Sequence, residues 1–483
     1  MDRAFCAGLT HGKHRLVCKI DDSRDIQTEP KREAAATLTR GSDVGCAGLR
    51  EWLGKATRMT TLTHRTSPLP ASTLLAIAVA CGAIGLERFG YYGLRSVVIA
   101  RATNLNEMAN ALRWLQPIGF AFLVGATLCT LVIPPRWMAV IGATSVVAGH
   151  LAMGSASPLV VVSLAYAGGA VMRLGLFSTM IRLVPKDESD CARVFIIATL
   201  VFVFVDVGAF IAPLVFGFAR VRGLVLFASA TTGVMIALTT VGAAFLSRHG
   251  PTQRVAVVAP PEDVAMFDPR EKRHPYRAYR AVGPSSGVSS PKALVLLGAT
   301  ALAVGLLLFE AAMFAPNPIF LSKHASTGAP WMWVVACFRI LTTLGSAVLV
   351  SLLPSFSKTV VLRILAFGAQ CAGLCGSLAG LAALVAHTGR EPLEEFVVFH
   401  TVASLGEPML FAAAYAIAGL VLPRKFAPIA IGSLAAMSTL MSAIAPAMHG
   451  VAPVLTLLAG LLTSAVAVAL LIMARPISRF WEV

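Results

Sequence analysis

Glu87, Arg88, Tyr91, Tyr92 and Arg95 lie within one strongly apolar stretch, headed by Ile84, at offsets of three, four and seven. That spacing places them on a single helical stripe. One carboxylate, two guanidiniums and two phenols on one face can hold a polar solute or hand on a proton. The stripe has no nucleophile paired with a base, and no metal-ligand spacing. Arg173, Asp206, Glu310, Arg339 and Glu407 are further charges inside apolar runs, so four acids (Glu87, Asp206, Glu310, Glu407) meet four bases (Arg88, Arg95, Arg173, Arg339). At bilayer depth each such charge costs at least about 2.5 to 3.5 kcal/mol, which is why these residues face a cavity and pair with one another. Buried pairs often fail to recover their desolvation cost, so eight charges kept only to fix helix register would be an inefficient stabiliser. Function is the better reading. His150 and His400 are read as packed helix residues rather than proton relays, although His400 stands two turns before Glu407 on the same face.

Apolar runs of about 20 residues, the length that crosses the hydrocarbon core, must position these charges. The chain has 483 residues, is 57% hydrophobic and only 13% charged, with a mean hydropathy of +0.76. Such usage belongs to a membrane protein. Twelve spans are expected, near 70–100, 107–131, 137–154, 157–184, 192–219, 222–247, 292–317, 330–353, 360–386, 395–421, 427–448 and 450–474. They are rich in Gly, Ala and Ser, which let helix backbones approach closely in lipid. The expected organisation is a disordered cytoplasmic tail over 1–68, a six-helix bundle over 69–247, a Pro-rich cytoplasmic linker over 248–291, a second six-helix bundle over 292–475 and a short tail over 476–483. Residues 1–68 lack the h-region and cleavage site of a secretory signal. Met59 would itself make a plausible start, so residues 1–58 are a candidate start-site artefact.

The net charge of +16 is concentrated in short loops on one side of the spans and in the linker. The positive-inside rule explains it, and puts both termini in the cytoplasm without invoking nucleic acid. The nine cysteines are scattered and form neither a disulfide framework nor a zinc motif; Cys371 and Cys375 share a helix face as small packing residues. An enzyme is disfavoured and no cofactor is expected.

GLERFGYYGLR, from Gly85 to Arg95, resembles the first-helix signature ExxERFxYYGxR of the proton-dependent oligopeptide transporters (the POT family), a branch of the major facilitator superfamily. VDVGAFIAP (Val205 to Pro213) is similar to the family's fifth-helix xNxGxxxxP, with Asp206 at its Asn. The Arg173 neighbourhood resembles the fourth-helix GxxKPN region, Phe309-Glu310 the seventh-helix acidic site, and LGEP (Leu405 to Pro408) the tenth-helix GEL segment. The resemblance covers most of the chain beyond residue 70. It implies an all-α integral membrane protein of the major facilitator fold, twelve helices in two bundles, that takes up di- or tripeptides or similar zwitterions with protons by alternating access.

Carried over by position, the resemblance implies an outer gate between Arg95 and Glu310. Arg173 and Glu407 would face each other to read a substrate carboxylate and amine, with Arg88, Tyr92 and Asp206 completing the wall and Ser438 as a further contact. Glu87, Arg88, Arg95, Asp206 and Glu310 would serve proton coupling and gating.

Departures are equally specific. Ile84 replaces the family's first glutamate, Thr130 and Leu131 stand where a loop Asp and Arg are usual, and Phe411-Ala412 interrupts the tenth-helix pattern. Asp206 is expected to supply the anion lost at Ile84, either as a proton carrier or as a fixed partner of Arg88 or Arg173. The expected partners are a small zwitterionic solute or peptide, protons and lipid; the expected state is a monomer in a bacterial inner membrane, with no nucleic acid bound. An uncoupled facilitator or exchanger, or a transporter-fold receptor without turnover, is the alternative.

Overall fold

The computed structural model describes residues 69–101, 105–184, 190–249, 291–313, 337–345, 348, 357–385, 392–423, 425–444 and 452–481. The expected tail over 1–68 lies outside them, as does the linker apart from Arg248, His249 and Pro291. Among the described residues there is no strand. The helices are α1 (Ala71–Arg101), α2 (Leu105–Cys129), α3 (Pro135–Leu151), α4 (Pro158–Leu183), α5 (Asp190–Val221), α6 (Val225–Leu246), α7 (Pro291–Met313), α9 (Lys358–Val385), α10 (Pro392–Val421), α11 (Ala427–Ile444) and α12 (Ala452–Trp481). The helical stretch 337–345 is α8. Each overlaps one of the expected spans. Eight are long and apolar enough to cross a membrane, and shorter apolar helical segments occur at Trp114–Cys129, Ala293–Leu307 and Gly406–Val421.

Local chemistry sets the helix ends. Proline opens α3, α4, α7 and α10, where its missing N–H costs nothing and its fixed φ is already helical. Between α5 and α6, Gly223 takes φ 71°, Leu224 N–H donates to Ala219 C=O at 2.7 Å, and Gly223 N–H donates to Arg220 C=O at 3.2 Å. That is a Schellman stop. α12 continues through Pro476 to Trp481, beyond the boundary expected at 475.

α1 packs against α4, α5 and α6, α3 against α4 and α6, and α2 against α4. Among the later helices α9 packs against α10 and α12, and α7 against α11 and α12. Contacts between the two sets run through α2–α11, α5–α10 and α4–α11. The large exposed residues on the outer faces, such as Phe218, Phe227, Leu378 and Ile472, are those a hydrocarbon solvent accepts.

The α1–α5 approach matters most for the charges. A Cβ placed on Gly208 would press on the Gly85 carbonyl and lie 3.0 Å from the Phe89 backbone N, and one on Gly85 would lie 3.1 Å from the Phe204 carbonyl. Backbone meets backbone there, so nothing can swing aside. Gly85 stands two residues before Glu87, and Gly208 two after Asp206, so the same crossing sets how closely both acids approach. Gly208→Val is expected to push α1 from α5 and destabilise the protein by roughly 1–3 kcal/mol, the usual range for overpacking. A melting temperature in detergent within 1 °C or so of the parent would refute this.

Candidate functional site

Glu87 is completely buried on α1. Arg88 grips it as a fork, Nη2 donating to Oε1 at 2.7 Å and Nε to Oε2 at 2.9 Å, and Arg173 Nη1 on α4 donates to Oε2 at 2.5 Å. α4 makes room for this carboxylate with Gly169, one turn before Arg173. A Cβ on Gly169 would overlap Glu87 Oε1 and sit 2.6 Å from its Cδ. One face of α4 thus supplies both a gap and a cation. Three charge-assisted bonds on one buried carboxylate are the strong kind.

Aromatic rings flank the cluster. The Arg88 guanidinium lies 4.9 Å from the Tyr91 ring centroid and 5.9 Å from that of Tyr92, within cation–π range. Tyr91 packs on Tyr166, centroids 5.4 Å apart, and Tyr166 Oη donates to Gln116 Oε1 at 2.6 Å. Arg95 lies near Tyr91, Tyr92 and Tyr166. Ile84 is fully buried in the apolar core.

A second cluster joins helices from the two sequence halves. Arg339 on α8 donates from Nη1 to Glu407 Oε2 on α10 at 2.9 Å, and its Nη2 lies 3.4 Å from Asp206 Oδ1 on α5. Asp206 thereby binds across the halves, while Glu407 and Arg339 belong to the same one. Beside the charges runs an aromatic layer: Phe177 on Tyr415 at 5.3 Å, Phe202 on Phe411 at 5.3 Å and Phe202 on Tyr415 at 5.6 Å. Phe177, Phe202 and Phe411 stand four residues from Arg173, Asp206 and Glu407 respectively. On all three helices the ring lies one turn toward the end where α4 and α10 finish and α5 begins. The rings therefore form one layer under the charges.

These pairings differ from those expected. Arg173 and Glu407, expected to face each other across the cavity, each have a protein partner: Glu87 holds the first and Arg339 the second. Asp206 pairs with Arg339 rather than with Arg88 or Arg173, and the counter-ion of Arg88 is its neighbour Glu87. The physical reason is reach. A residue adjacent in sequence and a glycine gap on α4 satisfy Arg88 and Arg173 locally, which leaves Asp206 and Glu407 to the one base between them. Glu310 stands on α7, but its side chain and that of His400 lie outside the described ones, and the Arg95–Glu310 gate with them. Ser438 donates to Leu434 C=O on its own helix at 2.8 Å, so its hydroxyl hydrogen is already used. His150 is buried, its Nδ1 3.0 Å from Ser229 Oγ, while that hydroxyl donates back to the His150 carbonyl at 3.0 Å. This ties α3 to α6 as a structural contact.

The residue that sequence reasoning left without a role is Arg339. Its signal was present, as one of four bases inside spans, but its two partners come from α5 and α10 and no spacing joins them. In the two clusters three acids (Glu87, Asp206, Glu407) balance three bases (Arg88, Arg173, Arg339). Accessibility is uneven. The Arg173 and Arg339 side chains keep 25% and 27% of their surface, whereas Glu87, Asp206 and Glu407 keep 0%, 9% and 10%. Such a set can hold a charged solute and exchange ion-pair partners. Among the described residues no group of His, Cys, Asp and Glu has the makings of a metal site.

No family model matches the sequence, and no curated protein matches it either. Solved structures do. A POT family transporter in complex with a thioalcohol-conjugated peptide superposes with a TM-score of 0.53 at 14% identity, over 83% of this chain and 96% of that one. A peptide transporter POT in complex with sulfate gives 0.52 at 16% identity, over 84% and 95%, and a mutant form in complex with alafosfalin gives 0.51 at 16%, over 83% and 95%. With its apolar helices, the chain is thus an integral membrane protein that shares the all-helical fold of these solved POT peptide transporters.

Proposed function

We propose that the protein is a secondary active transporter that takes up a peptide-sized solute bearing a carboxylate, by rocking two helical bundles about a midplane site. The observation that carries this reading is the Arg339 bridge from Asp206 to Glu407, a link between the halves made of charges that can change partners. Chemistry supports a breakable link, since a permanent brace at that depth would be better made of apolar side chains. The fold neighbours bound to peptide-like ligands support a di- or tripeptide. The acids in the bridge support proton symport, and the basic loops support a bacterial inner-membrane orientation with both termini cytoplasmic. On that orientation the aromatic layer closes the cytoplasmic side. Ile84, buried among apolar residues where a coupling acid would stand, favours a second reading as an uncoupled facilitator.

Proteoliposomes decide between them. Labelled di- and tripeptides, amino-terminally free and blocked, are offered with and without an inside-alkaline gradient. Accumulation above equilibrium that a protonophore collapses supports symport; equilibration indifferent to the protonophore supports the facilitator, and binding without entry supports a receptor. Asp206→Asn is expected to fold with a change of only about 1 kcal/mol, the worth of one hydrogen bond, because Arg339 keeps Glu407 as its nearer partner. Its uptake is expected to lose its dependence on external pH. A pH profile identical to the parent's would reject Asp206 as the proton carrier.

A further inference from the structure

We infer that Arg339 occupies the place a substrate amine would take, so that the site prefers solutes with a free carboxylate and no free amino group, such as N-acylated peptides. This rests on the transporter reading above and narrows its substrate class. Chemically, Glu407 could receive an ammonium group and Arg173 a carboxylate. In the structure Glu407 already accepts from Arg339 at 2.9 Å, and Asp206, the other acid in reach among the described residues, faces the same guanidinium at 3.4 Å. Glu87 is completely buried under Arg88 and Arg173. All three acids are therefore covered by cations of the protein itself.

The tethered guanidinium competes at an intramolecular effective concentration, whereas a dissolved ammonium competes only at its own concentration. Guanidinium also binds carboxylate as a planar fork with several donors, which a single ammonium does not match. Among the described side chains of the two clusters, the accessible charge left for a solute is cationic, on Arg173 and Arg339. Donor capacity remains as well, since a guanidinium carries five N–H groups and the contacts to Glu407 and Asp206 engage its two terminal nitrogens once each. A solute carboxylate adds to this surface, whereas a solute amine first has to displace Arg339 from its acids.

The test compares alanylalanine with N-acetyl-alanylalanine, by calorimetric binding to the purified full chain in detergent and by uptake into proteoliposomes. The parent protein is expected to bind the acetylated peptide at least tenfold tighter. Arg339→Gln is expected to lose that preference, binding the acetylated peptide at least tenfold more weakly and the free peptide more tightly. Glu407→Gln is a second variant, useful should Arg339→Gln fail to fold: with one of its acids neutral, Arg339 is freer for a solute carboxylate, and binding of the acetylated peptide is expected to tighten. Equal or tighter binding of alanylalanine by the parent overturns the inference, and so does binding of neither peptide. Loss of the preference in Glu407→Gln overturns it too. Selective binding of the acetylated peptide without uptake of either leaves the inference standing and overturns transport instead, while uptake that favours alanylalanine does the reverse.

Discussion

Glu87→Ala is expected to destabilise the folded protein by about 3–5 kcal/mol, the cost of removing one partner from a buried ion pair, and to abolish uptake. Glu87 is the sole carboxylate found against both Arg88 and Arg173 among the described contacts. Its removal leaves two guanidiniums facing each other in a site closed by α1 and α4, with a void beside Gly169. The ring contacts of Arg88 with Tyr91 and Tyr92 recover part of this, since cation–π contacts contribute roughly 0.5–2 kcal/mol. They offer no countercharge. Thermal unfolding in detergent reads the effect directly, and a double-mutant cycle of Glu87→Ala with Arg173→Met isolates the pair. A coupling energy near zero would show that Arg173 is held by something other than Glu87.

Arg339→Ala carries a comparable effect for the opposite reason, because it strands two acids rather than two bases. Asp206 and Glu407 would then face one another nearly buried, and a loss of about 3–5 kcal/mol is expected from the unpaired charge. A triple variant separates stability from function. Asp206→Val, Arg339→Met and Glu407→Met together replace every charge of the bridge with apolar side chains of broadly similar volume, and whole-cluster replacement of this kind is often neutral or stabilising by about 1–4 kcal/mol. The triple variant is expected to melt at or above the parent temperature yet to carry no solute. Should Arg339→Ala melt with the parent, the bridge contributes nothing to the resting state. If instead the triple variant still transports, partner exchange among these charges is not the device that moves the halves.

Much of this protein was legible in its sequence because membrane insertion is a matter of composition. Runs of apolar residues near the hydrocarbon thickness locate the helices, and a charge inside a span is costly enough to announce itself. Glu87, Arg88, Arg173, Asp206, Arg339 and Glu407 could all be picked out on that ground alone. The stripe on α1 followed from helical periodicity, a local property of the chain.

Pairing was not legible, because it is decided by distance between helices far apart in sequence. Glu87 and Arg173 are separated by 86 positions, and Arg339 and Glu407 by 68. The expectation of Arg173 opposite Glu407 treated each charge as waiting for a solute. Only the tertiary structure shows that Gly169 admits Glu87 to Arg173, and that the α1–α5 backbone approach at Gly85 and Gly208 and the α5–α10 contact bring Asp206 and Glu407 to one guanidinium. The aromatic layer of Phe177, Phe202, Phe411 and Tyr415 was invisible for the same reason: in a chain this apolar a phenylalanine in a span carries no signal until its neighbours are known. Composition fixes which residues enter the bilayer, since that energy is a sum over single residues. Which charge neutralises which is a pairwise energy that falls steeply with distance, so it is settled only when the helices pack.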